Sequence, residues 1–321
     1  MKAQILREPD VLEFAEIPVP LMKENEVLIK IKSACLCNGS DPSILKGAHW
    51  DEFPVIFGHE AFGEIIDCGK AVSGFELGDM VTWWFSMGAF AEYICINPDK
   101  VAMLKVPSGT CGEEGAVLEL AIAAARVFSN LNVKKGSKVL IVGLGPSGLI
   151  MTQLAKSMGA VVIGWDLYEM RRNKAMELGA YKAFDNSKDD AVALTIKEGF
   201  CADIVIDAFG DDILEGSPTL NNALKVIKPY GQLISYGHPV NGRVIDVFEL
   251  QRKCVSMRGP ENDLNEIRKI SAQILDLLIQ GRLNLKALVS EKIPLDDINR
   301  GIKLVCEQPD KYIKILVETE C

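Results

Sequence analysis

The sequence predicts an α/β protein that combines a doubly wound parallel sheet with a β-rich, barrel-like unit. An apolar run at 139–142 leads directly into a glycine pattern at 143–148, which is typical of a strand that turns sharply into a helix. From about residue 138, apolar runs alternate with helical patterns, which predicts a parallel sheet with helical crossovers. Before about residue 110, short apolar runs alternate with turn signals, which favours a β-rich unit.

Two patches rich in reactive side chains lie in the β-rich region. The first follows the strand at 27–31 and contains Cys37, Ser40 and Asp41 in a stretch with turn composition. The second places His59 and Glu60 between two glycines at the edge of an apolar strand. A lone His-Glu pair is more often an ordinary polar edge, but with Cys37 it offers the sulfur, nitrogen and oxygen donors that zinc accepts.

A helical pattern follows from Cys111 to about Leu131. Glu119 is the single charge inside its most apolar part. If that carboxylate is buried, it must be paired, neutral or bound to a metal; the alternative is that it points to solvent.

The glycine motif of the second region lies between a predicted strand and a predicted helix, as it does in dinucleotide-binding proteins. Gly143, Gly145 and Gly148 form Gly-x-Gly-x-x-Gly, with Pro146 and Ser147 inside the turn. A helical stretch and a second apolar run follow, and that run ends at Asp166, about 20 positions on. Glycines let a backbone approach a pyrophosphate, and the helix N-terminus attracts the anion. The motif predicts dinucleotide binding, and a purely structural strand-to-helix turn is the alternative.

Further strands are predicted at 202–207, 231–237 and from Cys254, with short helices at 191–197 and 221–228 between them. Helical spacing of apolar residues predicts a longer helix that Gly281 stops and another from about Asp296. We expect the last apolar run, at 312–317, to return to the first domain rather than extend the parallel sheet.

Composition excludes several classes of function. The 321 residues are 48% hydrophobic and carry a net charge of -9, which argues against a nucleic-acid partner. No stretch reaches the roughly 18 uninterrupted apolar residues of a membrane span, and the first residues lack the apolar run of a signal peptide. The nine cysteines include no paired Cys-x-x-Cys set. We therefore expect a cytoplasmic protein with reduced thiols.

In the order of its motifs, the chain resembles the medium-chain zinc-dependent alcohol dehydrogenase family, in its polyol and threonine dehydrogenase-like branch. The motifs that carry the resemblance are Gly58-His59-Glu60-x-x-Gly63, the Gly-x-x-Val-x-x-Phe-x-x-Gly-Asp-x-Val run at 69–81, Gly88-x-Phe-Ala-Glu92-Tyr93, Leu118-Glu119 and the nucleotide motif. The resemblance implies a GroES-like distorted β-barrel catalytic domain, residues 1–125 plus 262–321, into which a Rossmann NAD-binding domain, residues 126–261, is inserted.

The resemblance also implies a catalytic site. Carried over residue by residue, one catalytic zinc is held by Cys37, His59, Glu60 and Glu119, and Ser40 supplies the proton-relay hydroxyl. The stretch Cys37-Asn-Gly-Ser-Asp is one residue longer than the family's pattern, so strict register would place Asn38 at the ligand position. A bulge restores Cys37, which we prefer because a thiolate binds zinc better than an amide; Cys35 is a third candidate.

Two more departures from the family concern the zinc and the proton. The stretch between Asp79 and Gly88 has no cysteines, so no structural zinc is expected. Ser43 stands where many members have a relay histidine, so the proton is expected to leave through Ser40, water or the ribose.

Asp166 is expected to hold the adenosine ribose of NAD and to repel the 2′-phosphate of NADP. Arg171 is a further candidate cofactor-binding residue; it and Arg172 weaken the preference for NAD, since a nearby arginine can accommodate that phosphate.

The aromatic residues Trp83, Trp84 and Phe85, with His49 and Trp50, are candidate walls of the substrate pocket, although ordinary core positions explain them equally well.

The predicted function is hydride transfer between NAD and a small alcohol, polyol or amino alcohol, catalysed with zinc. The alternatives are a zinc-free, NADPH-dependent quinone or enone reductase of the same fold and a non-catalytic dinucleotide-binding protein. The expected partner is a small alcohol or carbonyl substrate, with no nucleic acid and no membrane. The resemblance implies a homo-oligomer, either a dimer or a tetramer.

Overall fold

The computed structural model describes residues 1–48, 50–187, 190–210, 219–238 and 243–319. Contacts divide the chain into two units. The first unit consists of residues 1–123, 263–279 and 284–321, and the second consists of residues 124–262 and 280–283. His49, one of the candidate pocket residues, lies outside the described residues.

The strands, in chain order, are β1 Lys2–Glu8, β2 Val11–Glu16, β3 Val27–Cys35, β4 Val55–Ile56, β5 Glu60–Cys68, β6 Met80–Trp84, β7 Tyr93–Ile96, β8 Ala102–Lys105, β9 Lys138–Val142, β10 Val161–Trp165, β11 Lys182–Phe184, β12 Ala202–Asp207, β13 Ile227–Ser235, β14 Ser256–Arg258, β15 Val289–Pro294 and β16 Lys314–Glu318. The α-helices are α1 Ser40–Leu45, α2 Gly112–Ala125, α3 Pro146–Ser157, α4 Glu169–Leu178, α5 Ala191–Lys197, α6 Thr219–Val226, α7 Val247–Lys253, α8 Leu264–Ile279 and α9 Ile298–Glu307. Short 3-10 helices lie at Pro98–Lys100, Arg126–Phe128, Lys286–Leu288 and Leu295–Asp297.

The first unit is built on two sheets. The smaller sheet has the order β2-β1-β4, and the larger has the order β15-β16-β3-β5-β6-β8, with β7 paired to β3. Alternate residues of β3 are buried because one face of this strand packs on the core. Strand β16, from the end of the chain, pairs antiparallel with β3, which confirms that the last strand returns to the first domain.

The second unit contains one parallel sheet with the order β11-β10-β9-β12-β13-β14. This is the order of a dinucleotide-binding Rossmann sheet, which confirms the predicted fold class. Its central strands, β9 and β12, are mostly apolar and buried, as expected where helices cover both faces. The carboxyl ends of β9, β10, β12 and β13 therefore lie along one edge of the sheet.

The predicted bounds of one helix and of the strand that follows it are wrong. The helix expected at 221–228 ends at Val226, and β13 begins at Ile227 instead of Gly231. Pro229 has no N–H to donate, yet the strand accommodates it because the pairing of β12 with β13 is irregular here. Ala202 faces Ile227, whereas Ile204 faces Gln232, so the additional residues of β13 form a bulge.

Among the described residues, no helix is long and apolar enough to cross a membrane. The eight cysteines of the described part of the chain are all free thiols.

Candidate active site

The first unit brings a thiol, an imidazole and a carboxylate together. One donor atom from each of Cys37, His59 and Glu60 lies within 4.8 Å of the other two. Within the described ranges, these residues form the one group of three or more Cys, His, Asp or Glu side chains that could hold a metal ion. Cys37 follows β3, and His59 and Glu60 stand at the start of β5. These positions lie close together because β3 and β5 pair antiparallel and Cys35 faces Glu60.

The neighbours of His59 determine how its ring is used. Its Nδ1 atom lies 3.3 Å from Oδ1 of Asp41, a side chain that is completely buried. Its Nε2 atom lies 3.3 Å from the hydroxyl oxygen of Ser40. A carboxylate behind one ring nitrogen is the usual support for a histidine that binds a metal through the other. Nε2 is therefore the nitrogen that could bind a metal, and the Ser40 hydroxyl is next to it.

The electrostatics of this group favour positive charge. Burial by itself lowers the pKa of His59, but hydrogen bonding and charge from Asp41 and Cys37 raise it well above its usual value. The thiol, imidazole and carboxylate donors are those zinc prefers, so these residues fit a zinc ion.

Glu60 has a partner that sequence reasoning missed. The ammonium group of Lys314 lies 2.7 Å from Oε1 and 2.6 Å from Oε2 of Glu60, and both side chains are fully buried. Burial raises the pKa of Glu60, and attraction to Lys314 works against this rise. The pKa of Lys314 is itself raised: burial lowers it, but the charges of Glu60, Cys37 and Cys35 and the hydrogen bond to Glu60 together more than compensate. The sequence held one signal of Lys314, a single charge inside the apolar run at 312–317.

The longer loop after Cys37 is anchored by hydrogen bonds. The backbone N–H of Cys37 donates to Oδ2 of Asp41 at 2.8 Å, which closes the turn. The amide of Asn38 donates to the carbonyl of Ile313 at 2.9 Å. Cys35 is fully buried, and burial raises the pKa of its thiol, so it stays protonated. Of the two cysteine candidates for the ligand position, Cys37 is the one grouped with His59 and Glu60.

Glu119 lies in α2 and is only 2% exposed, so the alternative that it points to solvent is wrong. Its carboxylate is not one of the donors in the group around His59.

Aromatic side chains border the His59 side of the group. The ring of Phe85 lies 4.8 Å from the His59 ring, centroid to centroid, and is 40% exposed. Trp84 lies beside Phe85, with ring centroids 6.4 Å apart. Trp83 is fully buried in the core of this unit, and Trp50 packs against that core. Of these aromatic residues, Phe85 is the one in ring contact with His59.

In the second unit, the glycine motif forms a tight strand-to-helix turn. Gly143 has a φ of 91°, a conformation that side chains rarely adopt. A Cβ on Gly148 would lie 2.0 Å from the carbonyl oxygen of Gly143, so only glycine fits there. Gly145 is the N-cap of α3 and Pro146 opens its first turn. The first N–H groups of α3 lack partners within the helix and can bind an anion.

Asp166 follows β10 and is tied to the same turn. Its Oδ2 accepts from the N–H of Leu144 at 2.7 Å, and its Oδ1 accepts from the N–H of Tyr168 at 2.8 Å. Burial raises the pKa of Asp166, whereas the charge of Arg171 acts to lower it. Nη1 of Arg171 lies 3.9 Å from Asp166 Oδ2. Nη1 of Arg172 donates to the carbonyls of Asp166 and Leu167.

Comparisons with known proteins agree with both units. The family described as alcohol dehydrogenase GroES-like domain matches residues 23–108, and the zinc-binding dehydrogenase family matches residues 146–272. A sorbitol dehydrogenase from Halalkalibacterium halodurans is 26% identical over 352 aligned positions, covering 99% of both chains. An L-threonine 3-dehydrogenase from Bacillus licheniformis is 28% identical over 349 positions, covering 95% of both chains.

A solved structure of a dehydrogenase has the same fold. The 2R,3R-butanediol dehydrogenase from Bacillus subtilis superposes with a TM-score of 0.85 at 25% identity, covering 99% of both chains. The chain therefore belongs to the medium-chain zinc-dependent alcohol dehydrogenase family and is an oxidoreductase that acts on CH–OH groups.

Proposed function

We propose that this enzyme transfers a hydride between NAD and a small alcohol, polyol or amino alcohol, with one catalytic zinc. The observation that carries the proposal is the group formed by Cys37, His59 and Glu60 in the first unit. The names of the relatives, which act on sorbitol, threonine and butanediol, support this class of substrate.

Cys37, His59 and Glu60 would hold the zinc ion, and Glu119 stays a predicted fourth donor. Zinc, when bound, supplies a Lewis acid that polarises the oxygen of the substrate. Asp41 attracts Nδ1 of His59, which orients the ring and would leave Nε2 for the metal. Metal content of a Glu119→Gln variant tests the fourth donor.

Ser40 would move the proton. Its hydroxyl lies beside Nε2 of His59, so it stands next to the place where the substrate's hydroxyl group would bind. A hydroxyl can accept the proton of an alcohol while passing its own proton to water or to a ribose hydroxyl.

The second unit would bind the cofactor. The N-terminus of α3, with Gly143, Gly145, Pro146, Ser147 and Gly148, would take the pyrophosphate. NAD, when bound, accepts the hydride from the carbinol carbon.

Asp166 would accept hydrogen bonds from the adenosine ribose, and its charge favours NAD over NADP. Arg171, beside that carboxylate, would contact the same half of the cofactor. The Nη1 atom of Arg172 already donates to two backbone carbonyls, which leaves its other two nitrogens for a 2′-phosphate.

The decisive experiment is a panel of alcohols, polyols and amino alcohols assayed with NAD through NADH absorbance, before and after treatment with a chelator. We expect turnover that chelation abolishes and zinc restores. Cys37→Ala should lower turnover about a thousandfold or more, because a metal Lewis acid contributes several kcal/mol. Cys35→Ala is the matched control and should retain zinc and activity.

Other results would contradict the proposal. Loss of zinc in Cys35→Ala but not in Cys37→Ala would assign the ligand position to Cys35. Quinone or enone reduction with NADPH that survives chelation would identify a zinc-free reductase, and NAD binding without any turnover would identify a non-catalytic protein.

We also propose that the enzyme is a cytoplasmic homo-oligomer, a dimer or a tetramer, whose catalytic domain is residues 1–125 plus 262–321. Light scattering of the purified protein tests the oligomeric state.

A further inference from the structure

Tyr236 stands at the carboxyl edge of the parallel sheet, immediately after β13. Its hydroxyl oxygen lies 3.4 Å from the hydroxyl oxygen of Ser147, the second residue of α3. Both side chains are partly exposed, so a ligand at this edge can reach them. No sequence motif singles out Tyr236, because only the fold brings it to the glycine turn.

The backbone that carries Tyr236 is held in place. The N–H groups of Tyr236 and Gly237 both donate to the carbonyl of Asp207, at 2.8 and 2.9 Å. A Cβ on Gly237 would lie 2.0 Å from the carbonyl oxygen of Phe209, so the turns after β12 and β13 are in direct contact. Arg243 reinforces this contact, since it pairs with Asp207 and donates to the Phe209 carbonyl. The phenol ring thus projects from a fixed base.

Strand order places Tyr236 and Asp166 on opposite sides of the glycine turn. The sheet runs β10-β9-β12-β13, so Asp166 follows the neighbour on one side of β9 and Tyr236 follows the second strand on the other side. A dinucleotide crosses this edge with its pyrophosphate at the N-terminus of α3. If Asp166 holds the adenosine ribose, the nicotinamide half extends over β12 and β13, towards Tyr236.

We propose that Tyr236 is a positioning residue for the nicotinamide ring of the bound cofactor, with its hydroxyl oriented by Ser147. The inference rests on the proposed function, because it takes the direction of the cofactor from Asp166. The ring of His238 packs edge-on against Tyr236, with centroids 6.3 Å apart and planes at 78°, which limits rotation of the phenol. A fixed phenol reduces the freedom that the nicotinamide ring must lose when it is aligned for hydride transfer.

The experiment compares two ligands that differ in the nicotinamide ring. NADH contains this ring, whereas ADP-ribose keeps both riboses and the pyrophosphate but lacks it. Affinities of the purified enzyme for both ligands are measured by calorimetry, and bound NADH is also followed by its fluorescence. Tyr236→Phe removes the hydroxyl and with it one hydrogen bond to the nicotinamide half of NADH. We expect this to weaken NADH binding about fivefold to tenfold and to change the emission of bound NADH.

ADP-ribose binding to Tyr236→Phe should change by less than about twofold. Tyr230→Phe is the matched control, because Tyr230 also lies in the β13 region but is 79% exposed and belongs to the other end of the strand. It should bind both ligands like the unaltered enzyme. In a Ser147→Ala background, Tyr236→Phe should have a smaller effect on NADH, since the hydroxyl has lost its orienting partner.

Two results would overturn the inference. Equal weakening of NADH and ADP-ribose would show that Tyr236 acts on the pyrophosphate or on the shape of the turn, and unchanged NADH binding would show that it does not touch the cofactor. Either result, with the unaltered enzyme binding both ligands, overturns the role of Tyr236 alone. An unaltered enzyme that binds neither ligand overturns the proposed function and the inference with it.

Discussion

The two functional regions of this enzyme are built by opposite means. In the first unit, the site consists of buried charged and polar side chains, with Glu60 and Lys314 fully buried and paired to each other. In the second unit, the site consists mainly of backbone, with Gly143 and Gly148 in contact so that a helix N-terminus is exposed. Changes of charge should therefore damage the first region most, and changes of shape should damage the second.

The largest effect is expected from Lys314→Met. Without its partner, the carboxylate of Glu60 is a buried charge without compensation, which costs about 3–5 kcal/mol of the free energy of unfolding. Urea unfolding of the chelator-treated protein measures this loss. The double variant Lys314→Met, Glu60→Gln should regain much of the stability, because it removes both charges together.

The matched control is Lys292→Met on the neighbouring strand β15. Lys292 lies 2.6 Å from Glu113, but its side chain is 47% exposed, so this variant should lose less than about 1 kcal/mol. Equal losses for the two lysine variants would show that burial of the charges does not distinguish this site.

A smaller effect is expected from Gly148→Ala in the second region. The added Cβ would meet the Gly143 carbonyl, and overpacking of this kind costs about 1–3 kcal/mol of stability. If the turn relaxes by moving away from its cofactor-binding shape, the same free energy lowers the affinity for NADH by about fivefold to 150-fold. Gly259→Ala is the control, because a Cβ there has open space. NADH titration of both variants checks this, and matching affinities would mean that the tight turn does not control cofactor binding.

A charge change in the second region should alter the selectivity between the two cofactors. Asp166→Asn keeps one oxygen acceptor but removes the charge that repels a 2′-phosphate. We expect the ratio of NAD to NADP affinity to fall about tenfold, or about 1.4 kcal/mol. The ratio of the two dissociation constants measures this, and an unchanged ratio would contradict the role given to Asp166.

The smallest effect is expected at an exposed ion pair of the second unit. Burial works to raise the pKa of Asp203, but hydrogen bonds from Lys228 and from the backbone N–H of Lys138 hold it below its usual value. A carboxylate with a lowered pKa stabilises the fold at neutral pH, and this stabilisation is lost as the pH falls below about 4. Asp203→Asn should therefore cost less than about 1 kcal/mol at pH 7, and this cost should shrink as the pH falls below about 4. Thermal unfolding as a function of pH measures this, and a cost that does not shrink at acidic pH would contradict the assignment to charge.

Local patterns predicted most of the second unit but not every boundary. The glycine motif and the apolar runs specified β9, α3, β10 and Asp166, because their information lies within a few consecutive residues. The sequence prediction ended α6 too late, at the residue before Pro229. In the structure β13 already begins at Ile227, and its irregular pairing with β12 accommodates Pro229 inside the strand. The return of β16 to the first unit was expected, and its pairing with β3 confirms it.

By itself, the sequence determined the family, the nucleotide turn and the residue types of the site, because motifs and composition are local properties of the chain. The tertiary structure decided which charges meet. Lys314 and Glu60 are 254 positions apart, and a buried charge is tolerable only where another of opposite sign is brought against it. Tyr236 and Ser147 are 89 positions apart, and only the order of the parallel strands places their hydroxyls together.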